Sequence, residues 1–332
     1  MPVNPLTMRA VIQHGYGKPE RVLRLGETEV PSIGVGDVLV RVRATSVNTP
    51  DWATVAGVPY ILRAGSGLRR PRRQVRGSDI AGVVEAVGPQ VTDLVPGDEV
   101  FGFTKGRTGA FAQYAVASAA QLVKKPAALT FTDAAASVMS GLAALVATRD
   151  VARVSTGTRV LVNGASGGVG TMAVQIARAL GAEVTGVCSP RNADLVRSLG
   201  AGHVIDYTKE DFTQSRQRFD VILDNVLDHP SKAAARVLAP NGTFIPNSIG
   251  YTGGLFAGLP RMARAVLMGL GSTKVKLVSP AVNRENLTAL RRLLESGEVR
   301  VVIAETYPLD QAATAVTHML EHHPGGKIAI TV

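Results

Sequence analysis

One segment of the chain, residues 159–180 (RVLVNGASGGVGTMAVQIARAL), constrains the fold more than any other. An apolar strand pattern ends in a glycine-rich turn that runs directly into a helix pattern. Glycine suits such a turn because it must be tight and its backbone must approach a pyrophosphate closely. The helix N-terminus then offers unpaired N–H groups to the phosphates. The segment therefore predicts a dinucleotide site, with these residues in contact: Gly164, Ala165, Ser166, Gly167, Gly168, Val169 and Gly170.

The patterns on either side of this turn differ. After it, fully apolar strands alternate with helices (for example EVTGVCS, NADLVRSLG, HVIDY and FDVILDNV), as in a parallel sheet buried on both faces. Before about residue 125, short β-branched runs alternate between turn residues, as in an antiparallel barrel, and the C-terminus returns to strand–helix–strand. We therefore expect an α/β chain in which a Rossmann doubly wound parallel sheet (128–299) is inserted into a β-barrel domain (1–127 plus 300–332).

The end of the second strand of the predicted Rossmann domain indicates which dinucleotide binds. An NAD-selective site has an acidic residue there, whereas here Ser189 and Arg191 follow the strand EVTGVC. A hydroxyl and a guanidinium suit a 2′-phosphate, so the sequence favours NADP(H). Tyr207, after the third strand, is placed to flank the same phosphate or the adenine. The alternative for Tyr207 is a surface residue at a strand end.

Composition excludes several classes of site. Cys188 is the single cysteine, so an intrachain disulfide, a four-cysteine zinc loop and a cysteine-ligated iron–sulfur cluster are excluded. The net charge of +10 favours anionic partners. Nucleic acid is disfavoured because only 5% of residues are aromatic, and nucleic-acid binding uses aromatic stacking. We interpret the arginine-rich segment 63–76 as a solvated loop, with an anionic substrate tail, RNA or a membrane surface as alternatives.

Several segments along almost the whole chain resemble the medium-chain dehydrogenase/reductase superfamily, in particular its zinc-independent quinone oxidoreductase-like branch. They are SVNTPDW (46–52), RGSDIAGVVEAVG (76–88), VPGDEVFGF (95–103), the glycine turn, HVIDYTKEDF (203–212) and GGKIAITV (325–332). The resemblance implies that the barrel is GroES-like and that the protein is a homodimer formed along the cofactor sheet.

The zinc ligands of the zinc-dependent members are missing at the matching positions. Asn48 stands where those members have a cysteine, and Gly77-Ser78-Asp79 stands where they have Gly-His-Glu. A tetrahedral zinc site needs those side chains. We therefore predict no metal site, which argues against a zinc alcohol dehydrogenase.

The resemblance implies an NADPH-dependent oxidoreductase that transfers a hydride to a small-molecule acceptor, a quinone or an α,β-unsaturated carbonyl. Without a metal, the protein must stabilise the developing oxygen charge by hydrogen bonds. Asn48 is expected to donate to that oxygen or to position the nicotinamide ribose, and Tyr60 to donate a hydrogen bond or a proton. Further cofactor contacts are expected at strand ends and in the closing segment, from Asn225, Asn247, Ser248 and Lys327.

Two other interpretations of the chain stay open or are set aside. An NADP(H)-binding sensor, or an RNA- or membrane-associated relative with little turnover, is the alternative function. Residues 164–168 also match the G-x-S-x-G nucleophile elbow, but Gly170 and the resemblance favour the dinucleotide turn.

The N-terminus lacks a signal-peptide core, and the most apolar stretch, 255–270, is short and contains two arginines. We therefore expect a cytoplasmic protein without a transmembrane segment.

Overall fold

The computed structural model describes residues 7–248, 259–269, 274–279, 282–321 and 324–332. The strands are β1 (Thr7–Gln13), β2 (Leu23–Glu29), β3 (Asp37–Ser46), β4 (Asp79–Val87), β5 (Glu99–Phe103), β6 (Tyr114–Ser118), β7 (Leu122–Lys124), β8 (Arg159–Asn163), β9 (Glu183–Cys188), β10 (His203–Asp206), β11 (Phe219–Asp224), β12 (Leu238–Pro246), β13 (Lys274–Val275), β14 (Ile303–Pro308) and β15 (Lys327–Thr331).

The α-helices are α1 (Pro19–Val22), α2 (Thr49–Ala56), α3 (Arg63–Ser66), α4 (Phe131–Leu145), α5 (Gly168–Ala179), α6 (Ala193–Ser198), α7 (Ser231–Ala235), α8 (Leu259–Met268), α9 (Arg284–Glu295) and α10 (Ala312–Glu321). A π-helical stretch, Val146–Val151, continues α4. Short 3₁₀ turns lie at Tyr60–Leu62, Ala119–Gln121, Pro190–Asn192, Phe212–Gln214 and Leu309–Gln311.

The chain divides into two compact units, and the barrel unit takes its residues from three parts of the chain. It comprises the described parts of 1–139, 282–295 and 303–332, and the second unit comprises those of 140–281 and 296–302. The predicted division, with 128–299 as the Rossmann insert, stays a prediction; the two units differ from it at 128–139, at 300–302 and at 282–295, the range that contains α9. The reason is local packing: α9 lies against β7, and the Arg284 guanidinium donates to the Ala119 carbonyl at 2.5 Å.

A mainly antiparallel sheet forms the barrel unit. Its path is β14-β15-β3-β4-β5-β7, and β6 pairs with β3. Alternation in β3 places Val40 and Val42 in the core and leaves Arg41 and Arg43 exposed. The C-terminal β15 pairs antiparallel with β3, so the end of the chain rejoins the N-terminal barrel, as the sequence predicts.

The second unit is a six-stranded parallel sheet with the order β10-β9-β8-β11-β12-β13. β8 is central and pairs in parallel with both β9 and β11. Its Val160, Leu161 and Val162 are all fully buried, as expected for a strand covered on both faces. The strand order reverses between β8 and β11. Open α/β sheets bind ligands at this switch point, outside the carboxyl ends of the strands.

One helix of the described residues, Phe131–Val151, is long and apolar enough to cross a membrane by length and composition alone. Within the structure, 78% of its apolar window is buried, which is the pattern of a core helix. This helix corrects the expectation that 255–270 is the stretch to consider. Of that stretch only 259–269 lies within the described residues, where α8 forms.

Candidate active site

The glycine turn between β8 and α5 has the backbone geometry that a pyrophosphate requires. Gly167 caps α5 with no side-chain hydrogen bond, so the first N–H groups of the helix have no side-chain acceptor at the cap. A Cβ on Gly170 would lie 2.0 Å from the Gly164 carbonyl oxygen, so the turn and the helix can pack this closely only with glycine there. Ala165 N–H donates to Val187 O at 2.9 Å and fixes the turn against β9. These residues fit a dinucleotide.

The predicted 2′-phosphate residues lie together at the carboxyl ends of β9 and β10. Ser189 and Arg191 belong to the turn that follows β9, and the Tyr207 N–H donates to the Cys188 carbonyl at 3.3 Å. Sequence reasoning missed Asn192, whose amide donates to Ser166 Oγ at 3.1 Å and to Ser189 Oγ at 3.3 Å. Asn192 thus joins the glycine turn to the end of β9. Its position directly after Arg191 in the sequence could have indicated that Asn192 lies at the same edge.

An acidic residue lies beside this edge but on β10. Asp206 is opposite Cys188 in the parallel register. Its carboxylate accepts hydrogen bonds from the Thr208 backbone N–H and hydroxyl, which lower the pKa of the carboxyl. Sequence reasoning looked for an acidic residue only at the end of β9 and therefore did not include Asp206.

The strand-end amides converge at the switch point. The Asn225 amide donates to Asn163 O at 3.1 Å, and Asn225 Oδ1 accepts from Asn247 Nδ2 at 2.8 Å. The Asn163 amide donates to Asp224 Oδ1 at 2.8 Å. Asp224, which sequence reasoning did not single out, is fully buried, and burial raises the pKa of its carboxyl. Ser248 lies just beyond Asn247 and is half-buried.

A buried polar cluster forms in the barrel unit around Asn48, at the N-terminus of α2. The Asn48 side chain bridges two charges: its Nδ2 donates to Asp79 Oδ2 at 2.8 Å, and its Oδ1 accepts from Lys327 Nζ at 2.5 Å. Lys327 Nζ also donates to Val47 O at 3.0 Å, and the Ser46 hydroxyl donates to Asp79 Oδ2 at 2.6 Å. Asn48, Asp79 and Lys327 are all buried. Asn48 is therefore held at both ends of its amide.

Asp51 joins the same cluster through the backbone. Its carboxylate accepts the Asn48 N–H at 2.9 Å, a contact that also satisfies the start of α2. Burial, followed by the nearby Asp79 charge, raises the pKa of Asp51 to about 7, against the opposing effects of the Asn48 N–H, Lys327 and Arg76. Burial likewise raises the pKa of Asp79 and lowers that of Lys327. Burial in this cluster therefore favours the neutral form of both carboxyls.

Tyr60 is placed differently from Asn48. It begins a surface 3₁₀ turn and is 45% exposed, with the Arg63 guanidinium 4.4 Å from its ring centroid. Its predicted catalytic role stays a prediction.

The donor set at the zinc positions does not suit a metal ion. The Asn48 oxygen accepts from an ammonium group at 2.5 Å, and a second cation there would be repelled by Lys327. Among the described residues, no three or more His, Cys, Asp or Glu side chains form a group that could hold a metal.

Two protein families match the chain. The alcohol dehydrogenase GroES-like domain matches residues 34–127, and the zinc-binding dehydrogenase family matches residues 199–330. The chain is 31% identical to the chloroplastic quinone-oxidoreductase QR1 of Triphysaria versicolor, over 97% of this chain and 98% of that protein.

Solved structures of dehydrogenases and reductases share the fold of this chain over almost its whole length. A quinone oxidoreductase from Coxiella burnetii is 26% identical with a TM-score of 0.85, covering 98% of this chain and 99% of that one. A thermostable alcohol dehydrogenase from Pyrobaculum aerophilum is 28% identical with a TM-score of 0.79, covering 98% and 100%. The fold and the dinucleotide turn thus define an oxidoreductase with a nicotinamide cofactor. The chain belongs to the medium-chain dehydrogenase/reductase superfamily, in its quinone-oxidoreductase-like branch.

Proposed function

We propose that the protein is a zinc-independent, NADPH-dependent reductase of quinones or α,β-unsaturated carbonyls. The observation that carries this proposal is the Asp79–Asn48–Lys327 bridge, in which a lysine ammonium contacts the side chain that replaces a zinc ligand. An alcohol dehydrogenase of the zinc-dependent type uses its metal to stabilise an alkoxide. A quinone or enone needs only orientation and a hydrogen bond to the developing oxygen charge.

The proposed chemistry assigns separate tasks to the two units. When bound, NADPH supplies the hydride. The glycine turn and the first turn of α5 bind the pyrophosphate, and Asn225, Asn247 and Ser248 are proposed nicotinamide neighbours. A primary amide has two N–H donors, and Asp79 takes one from Asn48. The second is available for the acceptor oxygen, and Tyr60 is the proposed proton donor.

Lys327 was predicted as a cofactor contact, and that contact stays a prediction. The role supported by its hydrogen bonds is positioning: its ammonium orients the Asn48 oxygen and so aims the amide N–H groups. Asp51, with a pKa of about 7, is proposed to take up or release a proton beside Asn48 as the reaction proceeds.

The preference for NADPH is supported by the Ser189, Arg191 and Tyr207 edge. Asn192 orients the Ser189 hydroxyl, and Arg191 is exposed on the turn after β9. Asp206 directs its carboxylate to Thr208. A 2′-phosphate would therefore meet a hydroxyl and a guanidinium. A homodimer and a cytoplasmic location, both expected from the sequence, are part of the same proposal.

The test is an acceptor screen with both nicotinamide cofactors. Oxidation is followed at the nicotinamide absorbance band with benzoquinones, enones, aldehydes and primary alcohols. We expect turnover with a quinone or an enone, a higher kcat/KM for NADPH than for NADH, and no effect of a chelator. Turnover restricted to alcohols, activity lost with the chelator, or NADPH binding with no oxidation by any acceptor would refute the proposal.

A further inference from the structure

An uninterrupted basic segment links α2 to β4. Between Asp51 and Asp79 the sequence contains no acidic residue and six arginines. Two of them act within the fold. The Arg63 guanidinium lies 4.5 Å from the Tyr16 ring centroid and donates to the Gly57 carbonyl, and Arg76 is buried near Asp51. The other four, Arg69, Arg70, Arg72 and Arg73, are exposed, and of these Arg73 also donates to the Gly106 carbonyl at 3.3 Å.

These four arginines lie on a turn with a defined backbone, residues 67–73, called here the arginine loop. Gly67 has φ +118°, and a Cβ there would lie 2.1 Å from the Arg70 carbonyl oxygen. The Tyr16 hydroxyl donates to Gly67 O at 2.7 Å, and Arg72 N–H donates to Ser66 O at 2.9 Å. The loop is thus preformed. No ion pair in the described part of the chain involves its four arginines.

Large apolar side chains are also exposed in the segment between α2 and β4. Leu68, next to Arg69, is 75% exposed, and Ile61 is 52% exposed. The exposed Leu68 side chain contributes little to the stability of the fold, although the backbone of its turn is held by hydrogen bonds. Aliphatic side chains flanked by exposed arginines form an amphipathic surface of the kind that enters the interfacial region of a bilayer.

We propose that this surface, formed by Ile61, Leu68 and the exposed arginines of the arginine loop, docks on anionic phospholipid headgroups. Guanidinium groups bind lipid phosphates through paired hydrogen bonds. Leu68 and Ile61 then enter the boundary between headgroups and acyl chains. RNA fits less well because the surface contains no aromatic side chain for base stacking, and the ring of the neighbouring Tyr60 is covered by Arg63. The contact is peripheral and involves no spanning helix.

The expected strength follows from the number of arginines. A basic residue near an anionic leaflet contributes roughly five-fold to the partition coefficient. Reversing Arg69 and Arg70 should therefore lower binding by well over ten-fold. The attraction should also weaken steeply with salt, because it is screened beyond about 10 Å at 0.1 M ionic strength.

The experiment is co-sedimentation of the full chain with vesicles of phosphatidylcholine alone or mixed with phosphatidylglycerol. We expect binding only to the mixed vesicles, and its loss in Leu68→Glu and in Arg69→Glu/Arg70→Glu. The matched control is Arg216→Glu/Arg218→Glu, which makes the same charge change on exposed arginines of the second unit and should bind within two-fold of the wild type. NADPH-binding and thermal-melting measurements on each variant show that it is folded.

A direct signal comes from Leu68→Trp. The native chain has one tryptophan, Trp52, which is buried, so a blue shift of the added fluorescence with mixed vesicles reports insertion at the loop. Three results would overturn the proposal: equal loss of binding in the control pair, no binding to mixed vesicles at low salt, or retention on immobilised RNA without vesicle binding.

Discussion

Replacing Lys327 by methionine tests whether its charge holds the buried cluster of the barrel unit. Methionine matches the lysine side chain out to Cε and removes the ammonium. The change leaves Asp51 and Asp79 buried without this counter-charge, and it leaves Val47 O and Asn48 Oδ1 without their donor. Breaking a buried ion pair by removing one partner costs about 3–5 kcal/mol.

That loss should depend on pH. The pKa of Asp51 is raised from 3.8 to about 7 in the folded chain, so its contribution to stability is complete below about pH 4 and is lost as the pH rises through 7. The difference corresponds to roughly 4 kcal/mol for this group. At pH 8 we expect Lys327→Met to lose about 3–5 kcal/mol of stability, because the Asp51 carboxyl, with a pKa of about 7, is then ionised in the native chain and the change removes its counter-charge. At pH 5 the Asp51 carboxyl is protonated, and the loss of stability falls to about 1–3 kcal/mol for the unsatisfied acceptors.

The assay is urea unfolding followed by Trp52 fluorescence at both pH values, since Trp52 is buried one residue after Asp51. Lys124→Met is the control, because it removes an exposed lysine paired with Asp98 on the same unit. It should cost less than about 1 kcal/mol at either pH. If Lys327→Met lowers the free energy of unfolding equally at pH 5 and pH 8, or by no more than the control does, Lys327 does not compensate the charge of the buried carboxyls.

Three further predictions concern the cofactor and the amide. Arg191→Ala should lower kcat/KM for NADPH by roughly 10- to 100-fold with little change for NADH, if its charged hydrogen bond is worth ~1–3 kcal/mol; Arg197→Ala, on the neighbouring helix and paired with Asp194, should alter neither. Equal losses with both cofactors would remove Arg191 from the phosphate site. Gly170→Ala should lower the melting temperature sharply, because its Cβ meets the Gly164 carbonyl, whereas Gly167→Ala, whose Cβ has 3.5 Å to that oxygen, should melt near the wild type. Asn48→Ala should lower kcat by about 100-fold while the Kd for NADPH, measured by fluorescence, is unchanged; an unchanged kcat contradicts the proposed donor role.

Much of the fold, and the dinucleotide turn of the site, could be predicted from sequence because their determinants are local. The glycine turn, its strand and its helix lie within one continuous stretch, and the apolar patterns on either side distinguish a parallel sheet from a barrel. The fold class is confirmed. Local patterns did not assign α9 to the barrel unit, because its packing partner β7 is distant in sequence. They also gave no reason to single out Asp224, because its burial depends on tertiary packing around the end of β11.

The sequence by itself determined where a dinucleotide could bind, because a phosphate turn is read from neighbouring residues. Only the tertiary structure decided what surrounds Asn48. β15 pairs with the end of β3, placing Ala329 opposite Ser46, and β3 pairs with β4, placing Thr45 opposite Ile80. This register brings Lys327, Asn48 and Asp79 together from three distant segments. The altered pKa values of Asp79 and Lys327 follow from burial, which no spacing along the chain encodes.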